Sequence, residues 1–362
     1  MSQKNKKKTN SGSVLLSVLL LTAVILCLIL SVLLIQTRKN QNRSQIQNII
    51  ESESESESIT ESESESESIT ESESETLPAG MVSDMTLSFY HVFLHVSDGA
   101  VMPVVRMSPD DAVDTSAVWS SSDLNIASVD QDGRIIPVSA GECTINVFSF
   151  SNPDVSAQIS VKIYPDEEPL PDPQTISCSG SPRDDIQVIG GITYVNGIMI
   201  VNKTYPLPES YNPQGMTPET AQAFSELCRT ASEEAELYLF SHSDFRSYQT
   251  QVYVYNDYAN QYGSDSADTF SARAGYSEHQ SGLCIDVNWP GDAFNDTPEA
   301  VWLEQNCARF GFIIRFPREK EAFTGYKYES WHIRYVGQEI AQEIMQNGLC
   351  LEEYLHVDSK YP

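Results

Sequence analysis

The most N-terminal hydrophobic pattern of the chain is one long apolar run over residues 14–35. Only Ser17, Thr22 and Ser31 interrupt it. At about 1.5 Å per residue, a helix of this length crosses a hydrocarbon core of roughly 30 Å. Residues 33–36 read LLIQ and offer no small-residue cleavage site. We therefore predict an uncleaved transmembrane helix, preceded by a short tail over residues 1–13.

Basic residues flank this helix on both sides, at positions 4–8 before it and 38–43 after it. The positive-inside rule favours a cytoplasmic N-terminus only slightly. The chemistry of the C-terminal part, described below, belongs outside the cell. We expect a single-pass protein of the cell membrane, with residues 1–13 in the cytoplasm and the C-terminal domain on a Gram-positive-type cell surface.

A polar repeat follows the helix. Residues 51–75 read ESESESESIT twice and then ESESE. Such a segment has almost nothing to bury, and its glutamates repel one another. We predict a disordered, solvated stalk over residues 36–80.

Residues 81–164 alternate apolar and polar positions in short runs, which predicts strands at 117–120, 126–129, 134–136 and 143–147. Residues 118–147 read VWSSSDLNIASVDQDGRIIPVSAGECTINV and resemble bacterial Ig-like modules. The resemblance implies an all-β Ig-like sandwich with a spacer or adhesive role, with Trp119 in its core and a hairpin turn at Asp132-Gly133. His91 and His95 lie in a strand-like run, which argues against a helical metal pair.

A proline-rich linker over residues 165–183 separates this module from a last domain over residues 184–362. Helical periodicity predicts helices at 217–236 and 336–346, and apolar runs predict strands at 237–240, 282–287 and 331–336. The class of this domain is α+β.

Composition excludes some functions. A formal net charge of −29 would repel nucleic acid, which we exclude as a partner. Six cysteines follow the apolar run without any CxxC pair, so zinc-finger spacing is absent. Disulfides and isolated buried thiols fit this pattern equally well.

Three polar segments of the last domain, at 243–251, 277–287 and 328–335, concentrate candidate chemistry. Catalytic zinc takes three protein ligands and keeps one position open, and His279, Asp286 and His332 form a candidate set. Asp286 lies between two apolar residues of a strand, where a carboxylate needs a cation. A turn at Ser281-Gly282 must redirect His279 toward it. Glu329 precedes His332 by three residues and is the candidate general base, provided that the strand begins only at Trp331.

These segments, together with residues 201–208, 310–317 and 323–332, resemble the VanY-type D-alanyl-D-alanine carboxypeptidases, zinc enzymes related to DacB and VanX. The resemblance covers nearly all of residues 185–350. It implies that His279, Asp286 and His332 bind zinc, that Glu329 is the catalytic base, and that Arg246 binds substrate and polarises the scissile carbonyl. Two positions depart from the family: Phe245 replaces the usual tyrosine, and Cys284 replaces the usual small alanine.

The resemblance implies a zinc-dependent carboxypeptidase, with one Zn²⁺ per catalytic domain, that removes the terminal D-alanine from peptidoglycan stem peptides. Ser247, Gln251 and Ser277 are candidate pocket groups for the terminal carboxylate. An L,D-carboxypeptidase acting on tetrapeptide stems is an alternative, and an endopeptidase is a weaker one. A surface adhesin with an inactive peptidase domain is an alternative of another class, and the intact ligand set argues against it.

Overall fold

The computed structural model describes residues 80–174 and 186–362. The predicted cytoplasmic tail, the predicted transmembrane helix at 14–35 and nearly all of the predicted stalk lie outside these residues. Within the described part, no helix combines the length and the apolar character that a membrane crossing needs. The membrane anchor therefore stays a prediction.

The alternating segment forms eight strands. They are β1 (Asp84–Leu87), β2 (His91–His95), β3 (Val105–Ser108), β4 (Ala117–Ser121), β5 (Ala127–Val129), β6 (Ile135–Pro137), β7 (Gly141–Ser149) and β8 (Ser156–Tyr164). The four strands expected from the alternation are confirmed as β4 to β7. His91 and His95 lie in a strand, as their surroundings indicate.

The long strands β7 and β8 are the centre of the module. They pair antiparallel, and alternate residues such as Ile145 and Ile159 are buried in one core. The hairpin between β5 and β6 contains Gly133, whose φ is +84°. A Cβ at Gly133 would come within 2.5 Å of the Trp119 ring, so glycine is needed for both the turn and the packing. Trp119 itself is only partly buried, against the edge of this core.

Three further strands extend the same sheet: β9 (Ile186–Ile189), β10 (Ile192–Val195) and β11 (Ile198–Met199). Strand β9 pairs parallel with β2, and the sheet order is β11-β10-β9-β2-β8-β7-β4. The predicted boundary at 184 thus lies just before strands that bond to the Ig-like sheet. Prolines mark where regular structure stops, but they do not reveal which sheet the next strand joins.

The remaining residues form a four-stranded antiparallel sheet in the order β12-β13-β15-β14, covered by helices. The strands are β12 (Ser241–Ser243), β13 (Cys284–Val287), β14 (Phe312–Phe316) and β15 (Glu329–Tyr335). The α-helices are α1 (Pro218–Ala235), α2 (Tyr248–Tyr262), α3 (Ser264–Ala267), α4 (Pro298–Asn306), α5 (Glu321–Thr324), α6 (Gln338–Gln346) and α7 (Leu351–Leu355). Two 3₁₀ helices, η1 (Glu278–Ser281) and η2 (Cys307–Phe310), complete the domain, whose α+β class is confirmed.

The predicted helix at 217–236 is confirmed as α1, with Thr217 as its N-cap. The predicted strand at 237–240 is wrong, because α1 ends at Ala235, its C-cap Glu236 is left-handed, and sheet pairing begins only at Ser241. Helix α2 was not predicted, since Gln251 is its only buried residue and it has no apolar stripe. The five cysteines within the described residues are free thiols, and Cys178 lies outside them.

Candidate active site

The two faces of the small sheet have different roles. On one face, Ile285 and Val287 of β13 and Ile333 of β15 pack into a hydrophobic core with α1 and α4. On the other face, Asp286 of β13 lies opposite His332 of β15 in the antiparallel register. Residues opposite each other across two strands project to the same side, so the sheet itself brings this carboxylate and imidazole together.

His279 approaches Asp286 and His332 from η1, whose C-cap is Gly282. The φ of Gly282 is +72°, and an added Cβ would lie 2.4 Å from the carbonyl oxygen of Gly215. Only glycine fits such a turn without strain. The structure therefore confirms the predicted turn at Ser281-Gly282, which directs His279 toward Asp286.

The three candidate ligands meet at short distances. His279 Nε2 lies 3.2 Å from Asp286 Oδ2, and His332 Nδ1 lies 3.1 Å from Asp286 Oδ1. All three side chains are buried, yet Asp286 Oδ1 accepts no hydrogen bond within the described residues, although His332 Nδ1 lies close to it. Ligands about 2.0–2.1 Å from a tetrahedral ion are separated by about 3.3 Å. The donor set therefore fits a zinc ion, which would satisfy the unpartnered oxygen.

Neighbouring groups orient the two imidazoles. His279 Nδ1 lies 2.6 Å from the carbonyl oxygen of Asp244, which can only accept, so Nδ1 carries the proton and the lone pair of Nε2 faces the site. His332 has the opposite arrangement: its Nδ1 faces Asp286 and Glu329, and its Nε2 lies 3.6 Å from Glu278 Oε2.

Glu278 is a site residue that the sequence analysis did not identify. It is buried, and its Oε1 accepts from Arg315 Nε at 2.7 Å and from Arg334 Nη1 at 2.6 Å. Arg315 also forms a bidentate pair with Glu352. Burial by itself would raise the pKa of Glu278, but the two arginines hold it well below its usual range. Arg315 and Arg334 lie inside the apolar strand sequences FIIRF and WHIRY, where a buried arginine requires a carboxylate partner. These two arginines are the sequence feature from which a buried glutamate could have been predicted.

Glu329 enters the site through an irregularity of β15. The pairs Ile314 with Ile333 and Phe316 with Glu329 show that β15 advances four positions (333 to 329) while β14 advances two (314 to 316). Such a bulge re-aims side chains. Glu329 Oε2 consequently lies 3.7 Å from His332 Nδ1. The expectation that the strand begins only at Trp331 is wrong, and the bulge gives Glu329 its reach instead.

The electrostatic setting of Glu329 favours proton transfer near neutrality. Burial raises the pKa of this carboxyl to about 7, against an opposing effect of His332. Glu329, His279, Asp286 and His332 all line one cavity of about 360 Å³.

Arg246 lines the same cavity from the loop between β12 and α2. Its guanidinium donates to Gln251 Oε1 at 2.8 Å and to Ser243 Oγ at 3.1 Å, and its backbone N–H donates to the carbonyl of His279. No carboxylate of the described residues pairs with it. Arg246 is held by neutral groups and keeps its positive charge available for an anion.

Two of the three candidate pocket residues line the cavity, and one does not. Gln251 and Ser277 are buried and line the cavity, and Gln251 also donates to the carbonyl of Ala272 at 2.6 Å. Ser247 is not among the lining residues. Its hydroxyl caps α2 by accepting from the backbone N–H of Thr250. The structure therefore does not bring Ser247 to the cavity.

Cys284 also lies at the centre of the site. It shares a strand face with Asp286 and is fully buried. Its sulfur and one ring nitrogen each of His279 and His332 lie within 4.8 Å of one another. Its apolar neighbours in the sequence indicate an ordinary core residue, whereas the structure also places its sulfur beside both candidate histidine ligands.

Two family models match this chain, one in the Ig-like module and one in the C-terminal domain. Residues 213–338 match the family model of VanY, D-alanyl-D-alanine carboxypeptidase, and residues 91–159 match that of the bacterial Ig-like domain, group 2. The putative carboxypeptidase YodJ of Bacillus subtilis is 32% identical over 198 residues, which cover 47% of this chain and 72% of that protein. This chain belongs to the VanY family. The resemblance stated from its motifs is confirmed.

Two other relatives carry activities in their names. A D-alanyl-D-alanine carboxypeptidase of Enterococcus faecium is 36% identical over 140 residues, covering 39% of this chain and 44% of that protein. A bifunctional D-Ala-D-Ala dipeptidase and carboxypeptidase of Enterococcus gallinarum is 31% identical over 180 residues, covering 44% of this chain and 94% of that protein.

Solved structures also resemble part of this VanY-family chain. The L,D-carboxypeptidase DacB of Streptococcus pneumoniae is 41% identical, covering 49% of this chain and 97% of that one, with a TM-score of 0.44. The vancomycin resistance D,D-pentapeptidase VanY from a VanB-type cassette, solved in complex with Zn(II), is 32% identical, covering 43% and 97%, with a TM-score of 0.38.

Proposed function

We propose that this protein is a zinc-dependent D-alanyl-D-alanine carboxypeptidase that removes the C-terminal D-alanine from peptidoglycan stem peptides. The observation that carries the proposal is the buried Asp286 carboxylate, which faces an imidazole on each side at 3.2 and 3.1 Å. Glu329 and Arg246 line the same cavity. Membership of the VanY family supports the same activity.

His279, Asp286 and His332 would hold one zinc ion. Two neutral imidazoles and one carboxylate form a three-ligand set typical of catalytic rather than structural zinc. When bound, zinc supplies Lewis-acid polarisation and makes water a stronger acid.

Glu329 moves the protons. It accepts a proton from the attacking water as the water oxygen bonds to the carbonyl carbon, and it returns this proton to the leaving amine as the C–N bond breaks. A pKa raised to about 7 suits both halves of this task, because the carboxyl then gains and loses a proton with similar ease near neutral pH.

Arg246 stabilises negative charge on the substrate. The hydrogen bonds to Gln251 and Ser243 fix the plane of its guanidinium, so little reorganisation is needed when the carbonyl oxygen or the terminal carboxylate arrives. Ser277 lines the same cavity and offers a further polar contact.

The remainder of the chain would position this domain at the cell surface. The apolar run at 14–35 supports a single-pass membrane anchor with a cytoplasmic N-terminus. The polar stalk and the Ig-like module would then extend the catalytic domain outward into the wall.

The test uses the chain from residue 80 onward, which retains every described sheet. It is incubated with zinc and either stem pentapeptide or stem tetrapeptide, with and without a chelator, and released D-alanine is followed by mass spectrometry. We expect chelator-sensitive release from pentapeptide and none from Glu329→Gln, with the zinc content of that variant unchanged. Release from tetrapeptide alone would move the assignment to L,D-carboxypeptidase. Release from neither substrate by the zinc-loaded protein would reject both activities.

A further inference from the structure

We propose that Cys284 is a fourth protein ligand of the metal, so that the resting centre is formed by His279, Cys284, Asp286 and His332. This inference rests on the proposed zinc site and adds a residue to it. The family usually has a small alanine at this position, which has no donor atom.

Three observations place the thiol at the metal site. Cys284 and Asp286 are two residues apart on β13, so both project to the same face of the sheet. The Cys284 sulfur shares a 4.8 Å cluster with ring nitrogens of both candidate histidine ligands. Asp286 Oδ1, buried at the same place, has no hydrogen-bond partner among the described residues. Both Asp286 and Cys284 thus approach the two imidazoles, so a cation bound between these rings would be near the oxygen and the thiol.

The other described cysteines show what ordinary burial looks like in this chain. Cys143, Cys307 and Cys350 are also buried, but none of them belongs to a cluster of three metal-ligating side chains within the described residues. Cys228 is half-buried in α1, where it packs beside the hydrophobic core under the four-stranded sheet. Cys284 is set apart from these four by its two imidazole neighbours.

Binding of Cys284 to the ion requires loss of the thiol proton. The S–H bond of Cys284 breaks, the proton leaves to solvent, and the sulfur donates an electron pair to the ion. One carboxylate and one thiolate then cancel the two positive charges of the ion, whereas the three-ligand set leaves one of them. The four-ligand centre should bind zinc more tightly and prefer soft ions, but it should be a weaker Lewis acid. Because four protein ligands occupy the positions of the resting centre, catalysis would require water to enter as a fifth ligand.

The experiment replaces zinc by cobalt(II) in the full-length protein purified in detergent. A thiolate bound to cobalt(II) produces a charge-transfer band in the near ultraviolet, and the visible bands report cobalt binding by itself. We expect the near-ultraviolet band in the wild type and in the matched control Cys228→Ala. Cys284→Ala should lose it while keeping the visible bands. Its zinc affinity, measured by competition with a chromophoric chelator, should fall at least about tenfold, a loss that outer-shell partners alone reach.

Absence of the band from cobalt-loaded wild type, or its persistence in Cys284→Ala, overturns the proposal. Should Cys284→Ala fail to fold, X-ray absorption at the zinc edge of the wild type decides instead. A sulfur neighbour at about 2.3 Å supports the proposal, and a shell of nitrogen and oxygen only overturns it. The D-alanine assay is independent of these spectra. Release of D-alanine without a sulfur ligand rejects only the role of Cys284, and a sulfur ligand without release from either stem peptide rejects only the proposed activity.

Discussion

Glu278 Oε2 lies 3.6 Å from His332 Nε2, while the other oxygen of the same carboxylate accepts from Arg315 and Arg334. The residue that precedes one candidate ligand in sequence is thus the outer partner of another. Carboxylate partners of this kind fix the orientation of metal-binding imidazoles.

Glu278→Gln should weaken both the fold and the metal site. Removal of this charge leaves Arg315 paired with Glu352 and leaves Arg334 with carbonyl oxygens as its remaining partners among the described residues. Breaking a buried pair costs about 3–5 kcal/mol. We expect a fall of this size in the free energy of unfolding of the metal-free protein, measured by urea denaturation. Zinc affinity should fall by about 10- to 100-fold.

The control for this prediction is Glu339→Gln, at an exposed position of α6. Surface changes of this kind usually stay within about 0.5 kcal/mol of the wild type. Equal unfolding free energies for the Glu278 and Glu339 variants would show that the buried cluster does not stabilise the domain.

Arg246→Ala should reduce kcat by about 100- to 1000-fold, because one preformed donor to developing negative charge is lost. Zinc content should stay the same, since the guanidinium contacts none of the three candidate ligands' side chains. Steady-state kinetics with stem pentapeptide and metal analysis of the same samples check both points. The companion variant Gln251→Ala removes one hydrogen bond that holds the guanidinium and should have a smaller effect in the same direction. A variant at Arg246 with wild-type kcat would exclude its role in the reaction.

Turnover should decrease as the pH is lowered through the pKa of Glu329. The carboxyl must be deprotonated to accept a proton, and burial raises its pKa to about 7 in the metal-free site. A bound cation favours the carboxylate form, so the acid limb of the kcat/KM profile should have an apparent pKa at or below about 7. A pH–rate profile on the zinc-loaded enzyme measures this limb. An acid limb centred clearly above 7 would require another group to control it.

A chain that starts at residue 184 should be less stable than one that starts at residue 80. It lacks β2, whose pairing with β9 places Val92 beside Val188 and Phe93 beside Ile189. An exposed, apolar edge strand promotes association with other chains. We expect a lower unfolding temperature and concentration-dependent association in analytical ultracentrifugation, with unchanged zinc content, since β9 is not part of the sheet that carries the ligands. A monomer with the same unfolding temperature as the longer chain would show that this pairing is dispensable.

The sequence by itself determined the classes of structure in this protein. Alternation in residues 117–147 was enough for the strands of the Ig-like module, because side chains of a half-buried strand follow a period of two. The polar segments around His279, Asp286 and His332 indicated a zinc ligand set, because the chemistry of zinc restricts which residue types can bind it. Together with the neighbouring motifs, these segments resembled the VanY family. The predicted transmembrane helix and stalk rest on equally local patterns, and they remain predictions.

Only the tertiary structure decided how these pieces meet. The pairing of β9 with β2, the salt bridges of Glu278 and the position of Cys284 beside two histidines each join residues that are distant in sequence or that leave no periodic signal. The bulge in β15 that turns Glu329 toward His332 depends on the register with β14. Register, bulges and buried charge pairs arise from contacts between elements, whereas a sequence pattern records only the face that each element buries.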